Sequence, residues 1–273
     1  MHFDEFLKRT ATPLGLQWRR FQRRSIKRRM EHRFSDLGFS SFQEYSARVE
    51  ADPEEQRRLS QMLTVTISRF FRDRGVFERL VTSVIPSILE KMGEGPLRIW
   101  VIGCASGEEP YSLALLWKSN LEAQWPSIRL CLLATDIDEG LLKRAEEGRY
   151  KRSSIGEVPE RILQKYFAVE GGSYVLDRAI RDNIEFQRHD ILRGEPHLGM
   201  DVVFCRNVAF TYFSKDSQID VLKKIFESLK AGGYMVIGKD ESLPLHYPTL
   251  FVPAFPEERI YQKFRESCRS PHR

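Results

Sequence analysis

The sequence predicts an α/β fold: a mostly parallel, doubly wound sheet with an antiparallel last strand, an all-helical domain before it and a small β-hairpin subdomain inserted in it. Three observations lead there. Residues 97–102 (Leu-Arg-Ile-Trp-Val-Ile) are apolar and β-favouring apart from Arg98, and read as a buried parallel strand. Gly103 and Gly107 then bracket a tight loop, and a helix starts near Glu108 with Leu113, Leu116 and Trp117 on one face. From Leu97 onward strand and helix patterns alternate, whereas residues 1–92 are helical throughout. Domains are expected at 1–92 and 93–273, with the insertion at about 150–182.

In the first domain, Phe3–Thr10 is a short helix broken by Pro13-Leu14-Gly15. Gln17–Leu37 reads as one strongly basic helix ended by Gly38. Ser41-Phe42-Gln43-Glu44 has the form of a capping box for a helix through Glu50, and Asp52-Pro53-Glu54-Glu55 opens another to about Leu63. Thr64–Asp73 alternates β-branched residues and then turns aromatic; Phe77–Leu89 resumes helical spacing around Pro86.

In the second domain, strand two is Arg129–Thr135, followed by helix Glu139–Glu147 closed by Gly148. A short helix at Val158–Tyr166 leads to Phe167–Glu170 and Ser173–Leu176, two strands around Gly171-Gly172 that read as a hairpin. Ile184–Gln187 and Met200–Cys205 are further core strands. Lys215–Lys230 is an amphipathic helix, ended by Ala231-Gly232-Gly233, and Tyr234–Gly238 returns to the sheet. Arg259–Phe264 is expected as an antiparallel strand at the edge.

With 273 residues, 41% hydrophobic and 30% charged, the composition is that of a globular protein. No apolar run approaches the ~18 residues of a membrane span, and Met1–Glu5 lacks a signal-peptide pattern, so a cytoplasmic location without membrane insertion is expected. Cys104, Cys131, Cys205 and Cys268 are widely spaced and the six histidines are scattered, which predicts reduced thiols and no metal. The net charge of +5 is unevenly placed. Arg19, Arg20, Arg23, Arg24, Lys27, Arg28, Arg29 and Arg33 crowd one stretch against a single acid, Glu31. On one continuous helix, Arg20, Arg24 and Arg28 form an i,i+4 row with Arg19, Arg23 and Lys27 beside it. Such a ridge is either a solvated face or a dock for an acidic partner, protein or nucleic acid.

In a parallel sheet the ligand crevice lies outside the carboxyl ends of the strands. The polar residues at those ends are Gly103–Glu109, Asp136, Asp190 and Arg206-Asn207. Asp136 is placed to accept hydrogen bonds from both ribose hydroxyls, and Asp190 from an adenine amino group. The loop spacing is Gly-x-x-x-Gly, unlike the Gly-x-Gly-x-x-Gly of dinucleotide binders, and it carries Glu108 and Glu109. Two carboxylates suit a helix N-terminus but repel a pyrophosphate. S-adenosylmethionine, a nucleoside with a positive sulfonium, therefore fits better than NAD.

The same residues resemble the chemotaxis receptor methyltransferase family (CheR type), which methylates glutamates of chemoreceptors. The matching segments are Thr64–Asp73 with Arg-Phe-Phe-Arg, Gly107-Glu-Glu-Pro-Tyr-Ser112, Ala134-Thr-Asp-Ile-Asp138 and Cys205-Arg-Asn-Val208. Tyr212-Phe213, Gln218, and Gly232-Gly233 with Gly238 and Glu241 continue the match. The resemblance implies a class I S-adenosylmethionine-dependent methyltransferase behind a helical domain. Its cofactor contacts fall on Thr66, Ser68, Arg72, Glu109, Asp136, Asp190, Ile191, Arg206 and Asn207, beside the loop glycine Gly103. Its active-site pair falls on Arg72 and Tyr212. Its basic receptor-docking helix matches the ridge, with Arg20, Arg23, Arg24, Lys27 and Arg28 as the partner-binding residues. The expected partner is an acidic helical protein rather than nucleic acid, met by a monomer.

Four departures stand out. Thr66-Ile67-Ser68 replaces the family's Asn-x-Thr, and Lys239-Asp240 replaces His-Ser. Three residues, one more than usual, separate Val208 from Tyr212, a spacing able to turn Tyr212 away and present Phe210 or Thr211. The short hairpin insert does not support capture of a receptor tether peptide. These departures leave two alternatives open: a methyltransferase of the same fold with another acceptor, or a non-catalytic module that binds the cofactor.

Overall fold

The computed structural model describes residues 1–63, 68–244 and 250–264. By its internal contacts the chain divides into two units, Met1–Ile67 with Asn207–Val221, and Ser68–Arg206 with Leu222–Arg273.

The first unit opens with α1 (Phe3–Ala11), α2 (Arg24–Asp36), α3 (Phe42–Ala51) and α4 (Pro53–Leu63). Each helix turns one stripe inward: Phe6 and Leu7, Ile26 and Met30, Tyr45, and Leu59 and Leu63 are fully buried. At the start of α3, Ser41 Oγ accepts from the Glu44 N–H, while the Glu44 carboxylate reaches back to the N–H of Ser40 at 2.9 Å. Glu55, buried on α4, accepts two hydrogen bonds from Arg33 (2.9 and 2.6 Å) and one from the Tyr45 hydroxyl (2.7 Å). The Arg33 guanidinium holds the Glu55 carboxyl below the usual carboxylate range, and burial raises the Tyr45 hydroxyl above its usual value.

The basic stretch is not one helix. Trp18–Phe21 forms a short 3-10 turn, Arg23 is extended, and α2 begins only at Arg24. The cause is packing. On a continuous helix Phe21 would point about 140° away from Ile26, yet both are buried, and a break between them lets each face inward. Arg19, Arg20 and Arg23 therefore lie off the helix, and the row shortens to Arg24 and Arg28 with Lys27 beside it.

In the second unit α5 (Arg74–Arg79) runs through one wide turn, Leu80–Val84, into α6 (Ile85–Leu89). Pro86 is tolerated because it sits in the first turn of α6. Then follow β1 (Leu97–Ile102), α7 (Glu108–Leu116), β2 (Leu130–Asp136), α8 (Glu139–Glu147), β3 (Arg149–Tyr150) and α9 (Glu160–Tyr166). The chain continues through β4 (Phe167–Glu170), β5 (Ser173–Leu176), α10 (Arg178–Arg181), β6 (Ile184–Arg188) and β7 (Met200–Cys205). α11 (Ala209–Tyr212) and the first half of α12 (Lys215–Ser228) belong to the first unit; β8 (Leu229–Ile237), β9 (Phe251–Phe255) and β10 (Ile260–Lys263) complete the second.

The main sheet has the order β6-β2-β1-β7-β8-β10-β9, with β1, β2, β6, β7 and β8 parallel and the last two strands antiparallel. The small sheet is β3-β5-β4, the expected hairpin plus one short strand.

Two further expectations need correction. Gly232-Gly233 do not stop a helix ahead of the strand: β8 already starts at Leu229, and its register against β7 shifts between Met200 and Val202. A Cβ on Gly233 would lie 3.0 Å from the Asp201 carbonyl oxygen, so the irregularity needs glycine there. The strand near 259–264 is not the edge, because β9 lies outside it. Pro253 hides β9 in the sequence, and an edge strand is where proline is tolerated.

Candidate active site

The first three turns of the site come from β1, β2 and β6, which lie side by side and end at the same edge of the sheet. Strand order reverses at β1, whose other neighbour is β7, and ligand crevices open at such switch points.

After β1 the chain enters left-handed backbone at Gly103 (φ 71°), Ala105 (φ 50°) and Gly107 (φ 87°). The N–H groups of Gly103 and Cys104 both donate to the Thr135 carbonyl, at 2.7 and 3.0 Å. Ala105 is held by the Asp136 carboxylate, whose Oδ2 accepts its N–H at 2.9 Å while Oδ1 accepts that of Asp138 at 3.0 Å. Asp136 is only 9% exposed, and burial raises its carboxyl above the ordinary range against these two donors. Its backbone carbonyl takes the His189 N–H at 2.9 Å, which joins the ends of β2 and β6 just before Asp190. Asp190 Oδ1 accepts from Leu192 N–H at 3.0 Å, and Ile191 is buried beside it.

Gly107 admits no other residue cheaply. An added Cβ would lie 2.9 Å from the Ala145 Cβ and 3.0 Å from Tyr111, on left-handed backbone. Gly107→Ala is expected to lose about 2–4 kcal/mol of stability, read by denaturant unfolding.

Arg206, at the end of β7, ties together parts of the site that lie far apart in sequence. Its guanidinium is 3% exposed, pairs with Asp73 and Glu109, and donates to the Arg72 carbonyl at 3.2 Å. Arg72 itself is exposed and stands between two left-handed non-glycine residues, Phe71 (φ 54°) and Asp73 (φ 60°). Such backbone costs of order 1–3 kcal/mol per residue and collects at functional sites. Phe71 is anchored by its N–H to Ser112 Oγ at 2.9 Å, whose hydroxyl donates to the Glu108 carbonyl.

Within this unit hydrogen bonds join Arg72, Glu109 and Arg206 in one cluster and tie the Gly103 loop to the end of β2 at Thr135 and Asp136 in another, with Asp190 and Ile191 following the His189 link. Ser68 is half-buried, and Thr66 lies outside the described residues. Asn207 and Tyr212 belong to the first unit. There the Tyr212 ring stacks on Phe21 at 5.8 Å, its carbonyl accepts from Gln17 N–H at 2.8 Å, and Phe210 is buried. The Arg206 tie to Asp73 was not foreseen; a conspicuous Arg-Asn at a strand end was its one signal in the sequence.

Beneath the Asp190 turn, the rings of His189 and His197 lie 4.9 Å apart and each meets the Trp100 indole edge-on. Burial lowers both imidazoles below their ordinary value. For His189, His197 and Lys224 push the same way and Asp190 opposes; for His197, Glu185 opposes. Folding therefore favours the neutral rings. The stability they confer is present above the unfolded value of 6.5 and is lost as pH falls below it towards their lowered folded values. Thermal unfolding between pH 7.5 and 5.5 is expected to lose stability more steeply for the parent than for a His189→Gln/His197→Gln variant.

The arrangement is rich in acceptors facing a strained glycine loop, which suits the hydroxyls and ammonium of a nucleoside amino acid. A family model for the CheR methyltransferase SAM-binding domain matches residues 66–257, and one for the CheR all-alpha domain matches residues 1–64. The chain belongs to the CheR methyltransferase family. A chemotaxis protein methyltransferase of Listeria monocytogenes is 32% identical over 243 residues, 89% of each chain. Chemotaxis protein methyltransferase 2 of Vibrio cholerae is 32% identical over 269 residues, covering 95% of this chain and 90% of its own. Chemotaxis protein methyltransferase 1 of Pseudomonas aeruginosa is 34% identical over 234 residues, covering 81% and 84%.

As a CheR methyltransferase this protein uses S-adenosylmethionine as methyl donor, and the site fits it. Asp136 keeps lone pairs for ribose hydroxyls after accepting its two backbone bonds, and Glu109 is held beside the loop by Arg206. No helix among the described residues is long and apolar enough to cross a membrane.

Proposed function

We propose that the protein is a protein-glutamate O-methyltransferase acting in the cytoplasm on the acidic helices of a chemoreceptor-like protein. The methyl on the bound sulfonium is electrophilic, and an ionised glutamate accepts it by in-line displacement, leaving a neutral thioether and releasing no proton. No general base is needed, so the protein's work is alignment and exclusion of water. Asp136 holds the ribose, Asp190 and Ile191 take the adenine, and Ser68, Glu109 and Asn207 complete the cofactor contacts. Arg72 and Tyr212 are the active-site pair on the strength of the family motif.

The observation that carries the acceptor class is the face of α2. Arg24, Lys27, Arg28 and Arg29 are all exposed there, with Glu31 (3.8 Å from Lys27) the one acid among them. So unbalanced a surface favours an acidic partner. Charge reversal of Arg24 and Arg28 to Glu is expected to lower methyl transfer to receptor-bearing membranes about tenfold at low salt, with the deficit shrinking at high salt.

The reaction type is tested by incubating the full chain with radiolabelled S-adenosylmethionine and receptor-bearing membranes, then adding alkali. Volatile methanol supports a carboxyl methyl ester. Base-stable label overturns it in favour of another acceptor, and binding without transfer across an acceptor panel points to a non-catalytic module.

A further inference from the structure

A fully engaged lysine holds the turn that follows β6. Lys224, on α12, donates to the carbonyls of Ile191 (2.9 Å), Leu192 (2.9 Å) and Gly194 (2.8 Å). An ammonium has three donors, and all three are used on one turn. The same turn closes from the inside: Arg193 and Gly194 N–H both donate to the Asp190 carbonyl, and Leu192 N–H to the Asp190 carboxylate. Its other wall is the His189 ring, packed so closely on Gly194 that a Cβ there would lie 2.4 Å from Cε1. Val221, Leu222 and Ile225 of α12 are completely buried, so Lys224 projects from an anchored helix.

A half-buried lysine whose three donors all serve backbone carbonyls is a costly way to shape a surface loop. Carbonyls pointing the same way repel one another, and neutral hydrogen bonds would not gather three of them on one point. The charge forces one shape on residues 190–194. We propose that Lys224 is a positioning residue that fixes the Asp190–Ile191 turn in the geometry that receives and selects the adenine ring. The inference rests on the reading that Asp190 and Ile191 take the adenine; it adds the residue that sets their affinity and base preference.

Titration calorimetry of the full chain tests it with two probes, S-adenosylhomocysteine and S-inosylhomocysteine, which carries an oxo group in place of the adenine amino group. Lys224→Met is expected to weaken S-adenosylhomocysteine about tenfold and S-inosylhomocysteine much less, so that the preference for adenine collapses. Unchanged affinity for S-adenosylhomocysteine overturns the proposal. So does an equal loss for both probes, the mark of general loosening. If Lys224→Met does not fold, hydrogen exchange on the unaltered protein decides. S-adenosylhomocysteine must then slow exchange at the amides of residues 192–194, and protection confined to the Gly103–Gly107 loop overturns the assignment. Loss of binding in Asp136→Ala with none in Lys224→Met sinks this inference alone. Retention in both sinks the cofactor-site reading beneath it.

Discussion

Asp136→Ala is expected to weaken S-adenosylmethionine binding by at least about 100-fold, since hydrogen bonds to a charged acceptor are worth about 1.5–3 kcal/mol each and two ribose hydroxyls lose one. A second effect adds to it. The carboxylate also holds the N–H groups of Ala105 and Asp138, and Ala105 has a backbone conformation that alanine rarely adopts unaided. Without the carboxylate the loop is free to relax towards ordinary backbone and close on the crevice. Asp136→Asn separates the two contributions. Its amide accepts on one side, while its NH2 meets a backbone N–H on the other, so an intermediate loss of about tenfold is expected. Calorimetric titration measures both variants, and far-UV dichroism confirms that each is folded. A folded Asp136→Ala that binds within threefold of the parent would remove Asp136 from the site.

A large effect on stability is expected at Arg206. Arg206→Met leaves Asp73 and Glu109 without their shared cation and the Arg72 carbonyl without its donor. Breaking a buried pair by removing one partner costs about 3–5 kcal/mol. Asp73 (28% exposed) and Glu109 (16% exposed) keep some water, which places the loss near the lower bound, about 3 kcal/mol. Arg206→Lys keeps the charge but has no fork to reach two carboxylates and a carbonyl together, so it recovers about half. A double-mutant cycle of Arg206→Met with Asp73→Asn, read by urea unfolding, is expected to show a coupling of at least about 1 kcal/mol. Additivity would mean that the tie contributes nothing.

Much of this site is legible in the sequence because its residues sit at ends of elements. Asp136 and Arg206 each close an apolar strand and Asp190 follows a strand of alternating pattern, and a polar residue at such an end is visible without any knowledge of pairing. The strand β1, the helix α8 with its glycine stop and the 167–176 hairpin follow from local chemistry alone. What stayed hidden depends on partners distant in sequence. The break at Gln22-Arg23 answers to burial on two sides at once, which a helical count of arginines does not register. β9 and the start of β8 depend on sheet neighbours, and Gly232-Gly233 look like a stop until their close approach to Asp201 is seen. Lys224 is one more lysine on an amphipathic helix; only the three carbonyls around it give it a role.

Trp100 lies fully buried in β1, its indole N–H bonded to the Thr135 hydroxyl one residue from Asp136 and its ring against both imidazoles. A protonated imidazole quenches indole emission, and a shift of the neighbouring carboxylate changes the field the indole feels. The protein thus carries an intrinsic optical reporter beside the end of β2. Protonation of His189 or His197 is therefore expected to be readable as a change in brightness, with no label attached.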